Sequence, residues 1–274
     1  MVRAPTSHRL AGPLWSRCPR ARSLRKRISS GRVAALSCAL SSLGFDANDK
    51  RRLATFWARA LGWELDDAQS WISVVPTDDT GFEFAFEDVP EPKTAKNPIH
   101  IDLVSESVEH QQDLVDRFVG LGGQPIDIGQ GADEPHVVLV DPEGNEFCVV
   151  IRGEFLADTG FLGSVVFEPA HPTTGYFWGE ALGWPVVYDE GGDVAIRAPN
   201  GRGPFITFGP PGIAKQGKNR LHFDLTPDAD QSAEVDRLIA LGARRIDIGQ
   251  GDVSWVVMAD PDGNEFCVLS ANDA

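Results

Sequence analysis

No uninterrupted apolar run approaches the ~20 residues that a helix needs to cross a bilayer, so no membrane partner is expected. Cysteine is scarce. The four present (Cys18, Cys38, Cys148 and Cys267) are too few and too scattered for a disulfide framework, and a reducing, cytoplasmic setting is expected. Basic residues are scarce beyond the N-terminus. Nine of the 25 Lys/Arg fall in the first 40 residues without a single acid, so the rest of the chain carries the whole net charge of −15 and nine negative charges more. Phosphate recognition needs a basic face, which excludes nucleic acid as a partner of this acidic body. A phosphate loop is also missing. The run Ile126-Asp127-Ile128-Gly129-Gln130-Gly131 has neither the glycine spacing nor the lysine. No Ser-His-Asp or Cys-His spacing suggests a hydrolase.

What is present is repetition. Asp141-Pro142-Glu143-Gly144-Asn145-Glu146-Phe147-Cys148 recurs as Asp260-Pro261-Asp262-Gly263-Asn264-Glu265-Phe266-Cys267. Asp-Pro-acid-Gly is turn chemistry, with Asp accepting backbone hydrogen bonds and Gly taking the left-handed conformation. The residues after it alternate polar and apolar, as a strand does. Phe56-Trp57…Leu61-Gly62-Trp63 matches Phe177-Trp178…Leu182-Gly183-Trp184, and Lys96-Asn97…His100-Ile101-Asp102-Leu103 matches Lys218-Asn219…His222-Phe223-Asp224-Leu225. The offsets of 119–122 residues read as two domains, 41–152 and 160–270, behind a basic leader, 1–34, expected to be disordered and dispensable. The stretch Val33–Leu40 is similar to a secretory signal, but the strand expected at Ser41–Ala47 follows it too closely for cleavage.

A shorter period lies inside each half. Leu-Gly pairs at 61–62, 121–122, 182–183 and 241–242 each read as a helix closed by a glycine cap. Each half therefore contains two β-α-β-β-β modules. In the first, Ser41–Ala47 is a strand, Lys50–Leu61 a helix burying Leu53, Phe56, Trp57 and Ala60, and three short strands follow. In the second, Pro98–Val104 is a strand, Val108–Leu121 a helix, and Asn145–Ile151 the last strand.

This combination resembles the vicinal oxygen chelate superfamily, the glyoxalase, bleomycin-resistance and dioxygenase proteins, and within it the glyoxalase-like branch common in actinobacteria. The carriers are the paired modules, the Phe-Trp…Leu-Gly-Trp helix ending, Lys-Asn-x-x-His-x-Asp-Leu, and Asp-Pro-x-Gly-Asn before the last strand. The resemblance implies an α+β fold in tandem duplication. Two modules per domain would curl a mixed sheet into a cup, with helices outside and the site inside. It also implies where metal-using members place their ligands: about Ser42, His100 and Cys148, then Gly163, His222 and Cys267, with Glu83 near a further position that holds Phe205 in the second copy. Histidine alone is an ordinary ligand there.

Strand alternation gives the candidate site independently. Ile99, Ile101 and Leu103 share one face, and His100 and Asp102 the other. Glu146 and Cys148 oppose Phe147 and Val149. The second copy repeats this with His222, Asp224, Glu265 and Cys267. Each set is either a ligand site or a structural hydrogen-bond network. The expected function is binding of a small organic molecule in the cup without a metal, by a monomeric pseudo-dimer or a homodimer. The alternative is a lyase, isomerase or dioxygenase that uses His100 or His222, with or without a divalent ion.

Overall fold

The computed structural model describes residues 38–129, 134–168, 170–209, 215–228 and 230–270. The leader expected at 1–34 and the glycine loop at 130–131 lie outside them.

Four modules follow one another. The first is β1 (Cys38–Ala47), α1 (Lys50–Leu61), β2 (Glu64–Asp66), β3 (Ile72–Val75) and β4 (Glu83–Asp88). The second is β5 (Ile99–Ser105), α2 (Val108–Leu121), β6 (Gln124–Pro125), β7 (Val137–Val140) and β8 (Glu146–Ile151). The third is β9 (Leu162–Phe167), α3 (Pro172–Leu182), β10 (Val186–Glu190), β11 (Asp193–Ile196) and β12 (Phe205–Phe208). The fourth is β13 (Leu221–Pro227), α4 (Gln231–Leu241), β14 (Arg244–Arg245), β15 (Val256–Ala259) and β16 (Glu265–Val268). The expected helices α1 and α2 have the bounds read from their spacing. Strand β1 begins three residues earlier than expected, so Cys38 is a buried strand residue whose thiol donates to the Ala181 carbonyl.

Each helix ends on a left-handed glycine, Gly62, Gly122, Gly183 and Gly242, with φ between 65° and 117°. Both Asp-Pro-acid-Gly turns close as their chemistry requires. Asp141 Oδ1 accepts from the backbone N–H of Glu143 and Asn145, and Gly144 takes a φ of 85°. The other carboxylate oxygen reaches into the core and accepts from Trp57 Nε1 at 3.2 Å. Asp260 and Trp178 repeat the contact at 3.1 Å.

The modules assemble into two mixed eight-stranded sheets. The first runs β14-β15-β16-β13-β1-β4-β3-β2, and the second β10-β11-β12-β9-β5-β8-β7-β6. This corrects one expectation. The halves 41–152 and 160–270 do not each close a sheet of their own. Module one joins module four through the antiparallel seam β1–β13, and module two joins module three through β5–β9. Local alternation fixes which face of a strand is buried, but it is the same in all four modules and so cannot choose a strand's partner.

The helices cover one face of each sheet, and these two faces share a core. Trp57 on α1 packs on Phe45 and Phe84 of the first sheet and on Phe147 of the second. Trp178 on α3 likewise touches Phe167 of the second sheet and Phe223 and Phe266 of the first. The opposite face of each sheet is left for the site. Of the other tryptophans, Trp63 is buried, while Trp71 and Trp255 are half-buried just before β3 and β15 rather than on strands. Among the described residues, no helix is long and apolar enough to cross a membrane.

Candidate functional site

His100 and Asp102 lie on the face of β5 opposite Ile99, Ile101 and Leu103, which join the shared core. Strand β8 runs parallel beside it with Cys148 level with Asp102. His222, Asp224 and Cys267 repeat this on β13 and β16. Within each triplet, one imidazole nitrogen, one carboxylate oxygen and the sulfur lie within 4.8 Å of one another. The sequence-derived set is thus brought together except for its glutamates. Glu146 accepts from Lys93 Nζ at 2.8 Å and from the Asn97 backbone N–H. Glu265 does the same with Lys215 and Asn219. Both glutamates fasten the loop before the histidine strand and are not members of the clusters. The signal was present, since Lys93 and Lys215 share the repeat offset of Lys96 and Lys218.

The seam gives Ser42, read with the first copy, to the second copy's cluster, and supplies Ser164, which the half-by-half reading missed. Ser42 on β1 is level with Asp224, and its hydroxyl donates to Asp224 Oδ2 at 2.7 Å. Ser164 on β9 does the same for Asp102 at 3.0 Å. The counterpart of Ser42 is therefore Ser164, not Gly163. Glu83 and Phe205 do correspond, standing level with Ser42 and Ser164.

The two sites differ at one seam position. Gly44 is level with His222, and Val166 with His100. A Cβ on Gly44 would fall 2.6 Å from His222 Nε2, so the ring lies against bare backbone. From there Nε2 approaches Asp224 Oδ1 to 3.3 Å. With Val166 in the matching place, His100 Nε2 stays 3.7 Å from Asp102, outside hydrogen-bond reach. Burial opposes charge on His222, yet Asp224 and Cys267 hold its imidazole well above the ordinary value. His100 lacks that compensation, and burial pushes it down to about 3, with Lys96 and His136 adding to the effect. Gly44→Val should therefore push the His222 ring off β1 and bring its titration down toward that of His100, which histidine NMR against pH would read. An unmoved His222 pKa would contradict the account.

Surroundings separate the sites further. The His222 face is polar and reached by water, with Asp46, Glu83 and Glu87 on the same side of β1 and β4. Lys218 pairs with Asp46 at its rim. Burial raises Glu83 despite a hydrogen bond from Ser73, and Glu87 is raised by desolvation, with Asp224 and Asp46 adding to it. The His100 face is sealed. His100, Asp102, Cys148, Ser164 and Val166 are all buried, and Val104, Val150, Leu156 and Phe205 form a separate apolar cluster with Cys148. A groove lined by Arg52, Phe56, Arg59 and Pro142 lies on the helical side, away from both clusters.

A family model described as a glyoxalase-like domain matches residues 42–150 and 164–269. The chain belongs to the glyoxalase-like domain family. Its two copies are those of the vicinal oxygen chelate superfamily, as their motifs implied. Among solved structures it is similar to glyoxalase I from Zea mays, at 15% identity and a TM-score of 0.57, covering 86% of this chain and 94% of that one. It is also similar to a putative dioxygenase from Bacillus subtilis, at 15% identity and a TM-score of 0.54, covering 85% and 86%. At such identities the likeness is one of fold. No curated relative matches the chain.

A divalent metal in either cluster would be held by its His, Asp and Cys, and the state of those donors bears on whether it fits. At His222, the imidazole is held in its protonated form, Asp224 is engaged by Ser42, and burial pushes the Cys267 thiol up to about 11. At His100, the thiol of Cys148 is raised well above its ordinary value by burial. At the His222 cluster an ion would have to displace a proton or a partner from each donor. At the His100 cluster the imidazole has an unpartnered nitrogen, and it is the raised thiol that opposes an ion.

Proposed function

We propose that this glyoxalase-like protein binds a small organic molecule on the open face of the first sheet, around His222, and does so without a metal. The observation that carries the reading is the contrast between two clusters built from the same motif. One is sealed under apolar side chains, whereas the other is partly open at His222, Glu83 and Glu87 and sets a protonated imidazole against the buried carboxylates Asp224 and Asp46. Buried charge of this kind is costly to keep unless a structure or a ligand uses it. The second sheet keeps the same fold with His100 neutral, so the fold does not need the charge.

A thermal-shift screen of the chelator-treated full chain tests this. A ligand at ~100 times its dissociation constant adds about 2.7 kcal/mol of stability. His222→Ala should abolish that shift and His100→Ala should leave it. A shift that survives His222→Ala, or that appears only when a divalent ion is added back, would defeat the reading. Turnover of the bound molecule would move the protein among the lyases, isomerases and dioxygenases of the superfamily.

A further inference from the structure

The connection between the halves does more than span them. A short 3-10 helix, Glu154–Leu156, lies on the face of the second sheet that carries His100. Leu156 is fully buried among Val104, Val138, Cys148, Val150, Ala195 and Phe205, all on that face. Phe155 stacks on Phe205 with centroids 4.6 Å apart and meets Tyr188 edge-on at 5.7 Å. The Arg197 guanidinium covers Phe205 at 4.7 Å, and its Nη2 donates to the Asp158 carbonyl at 2.6 Å. Beside it, Arg152 Nη1 donates to the carbonyls of Leu156 and Thr159. The segment is thus held by two arginines along 156–159 and inserts an aromatic and an aliphatic side chain.

The seat belongs to the second sheet alone. By strand register, Phe205 and Ala195 correspond to Glu83 and Ser73, which in the first sheet are hydrogen-bonded to each other. The same face of the second sheet also carries His100, whose Nδ1 is buried without a hydrogen-bond partner. A packed core does not leave such an atom for nothing. An aromatic ring held between a ring and a ring edge, on a face that also offers one unused imidazole nitrogen, describes a ligand's chemistry as well as a linker's.

We propose that residues 154–158 are a strap occupying the second sheet's cup face as an internal ligand, and that its release opens a pocket for a flat aromatic molecule with one hydrogen-bonding group. The proposal does not depend on the ligand site assigned to the first sheet. Its parts are already in place: an aromatic platform in Phe205 and Tyr188, a guanidinium above it, and the His100 imidazole on the same face. The clamp sets how often the strap leaves, because its arginines hold backbone carbonyls rather than core side chains and can let go without unfolding the sheet.

The test uses the full chain and Cys148, which lies beneath the strap. Alkylation of Cys148 by iodoacetamide, read by mass spectrometry, should proceed faster than global unfolding allows. Arg197→Gln should accelerate it roughly five- to tenfold, as expected for loss of the clamping hydrogen bonds, without changing Cys267. In Phe155→Ala, phenol should shift the ring signals of His100 and not those of His222, since apolar cavities accept aromatic guests. Wild type should require at least about tenfold more phenol. Labelling of wild-type Cys148 only at the global unfolding rate would overturn the proposal. So would an Arg197→Gln rate equal to wild type, or a folded Phe155→Ala in which phenol leaves His100 unmoved. If Phe155→Ala fails to fold, the two labelling rates decide.

Discussion

Trp57→Ala should be among the most destabilising single changes in the molecule. The side chain is 1% exposed and is shared by both sheets, packing on Phe45, Phe84 and Phe147 and edge-on to Phe56. Truncating an aromatic of this size in a rigid core costs about 3–5 kcal/mol. The loss of Nε1 also removes a donor from the buried Asp141 carboxylate, which burial already pushes up to about 6. Leaving a buried acceptor short of a partner adds about 1–3 kcal/mol, against a typical total of about 5–15 kcal/mol. Urea melts should show most of the stability gone, with Trp57→Phe retaining more of it. A midpoint within about 1 kcal/mol of wild type would mean that Trp57 does not join the sheets as described.

The second large effect is one of pH. His100 is neutral in the folded protein, with its pKa lowered to about 3, against an ordinary value of 6.5. Between those values the unfolded chain binds a proton that the folded chain refuses, so stability is lost as the pH falls through 6.5 and goes on falling toward 3. From pH 7 to pH 5 this amounts to about 2 kcal/mol, since 1.5 pH units below the unfolded pKa count at 1.36 kcal/mol each. Melts of wild type and His100→Gln at the two pH values isolate it: the wild type should lose about 2 kcal/mol more than the variant. His222 has the opposite sign. Its raised pKa stabilises the fold below pH 6.5, and that stabilisation disappears as the pH rises through the folded value. Parallel pH profiles for His100→Gln and His222→Gln would show that the histidines sit in like surroundings and would undo the distinction between the sites.

That distinction is where the sequence stops being legible. The helices could be read because Leu-Gly pairs and 3.6-residue periodicity are local signals, and their ends fell where the glycines put them. The clusters of His, Asp and Cys could be read because alternation along β5 and β8 fixes the face of each side chain. Glu146 was misplaced because alternation names a face and not a partner, and the loop lysine Lys93 claims it. Ser164 was missed because β9 carries an irregularity in its register with β5 beside Gly163, where a Cβ would strike Val104. The difference between open and sealed faces rests on Gly44 against Val166 and on Phe155, Phe205 and Arg197, none of which the repeat preserves. A reading built on what the two copies share passes over them.

The crossed pairing of modules has a consequence for how such a chain can arise. Either half alone would present two inner strands, β1 and β5 or β9 and β13, as open edges with unpaired backbone groups. A second identical half would satisfy both at once, each lending one module to each sheet across a twofold axis. The full chain has the connectivity of such a pair fused end to end. In a fusion of that kind the connection would join what symmetry already places side by side and leave the two sheets free to differ, as they do here, where Leu156 of the connection is buried on the second sheet.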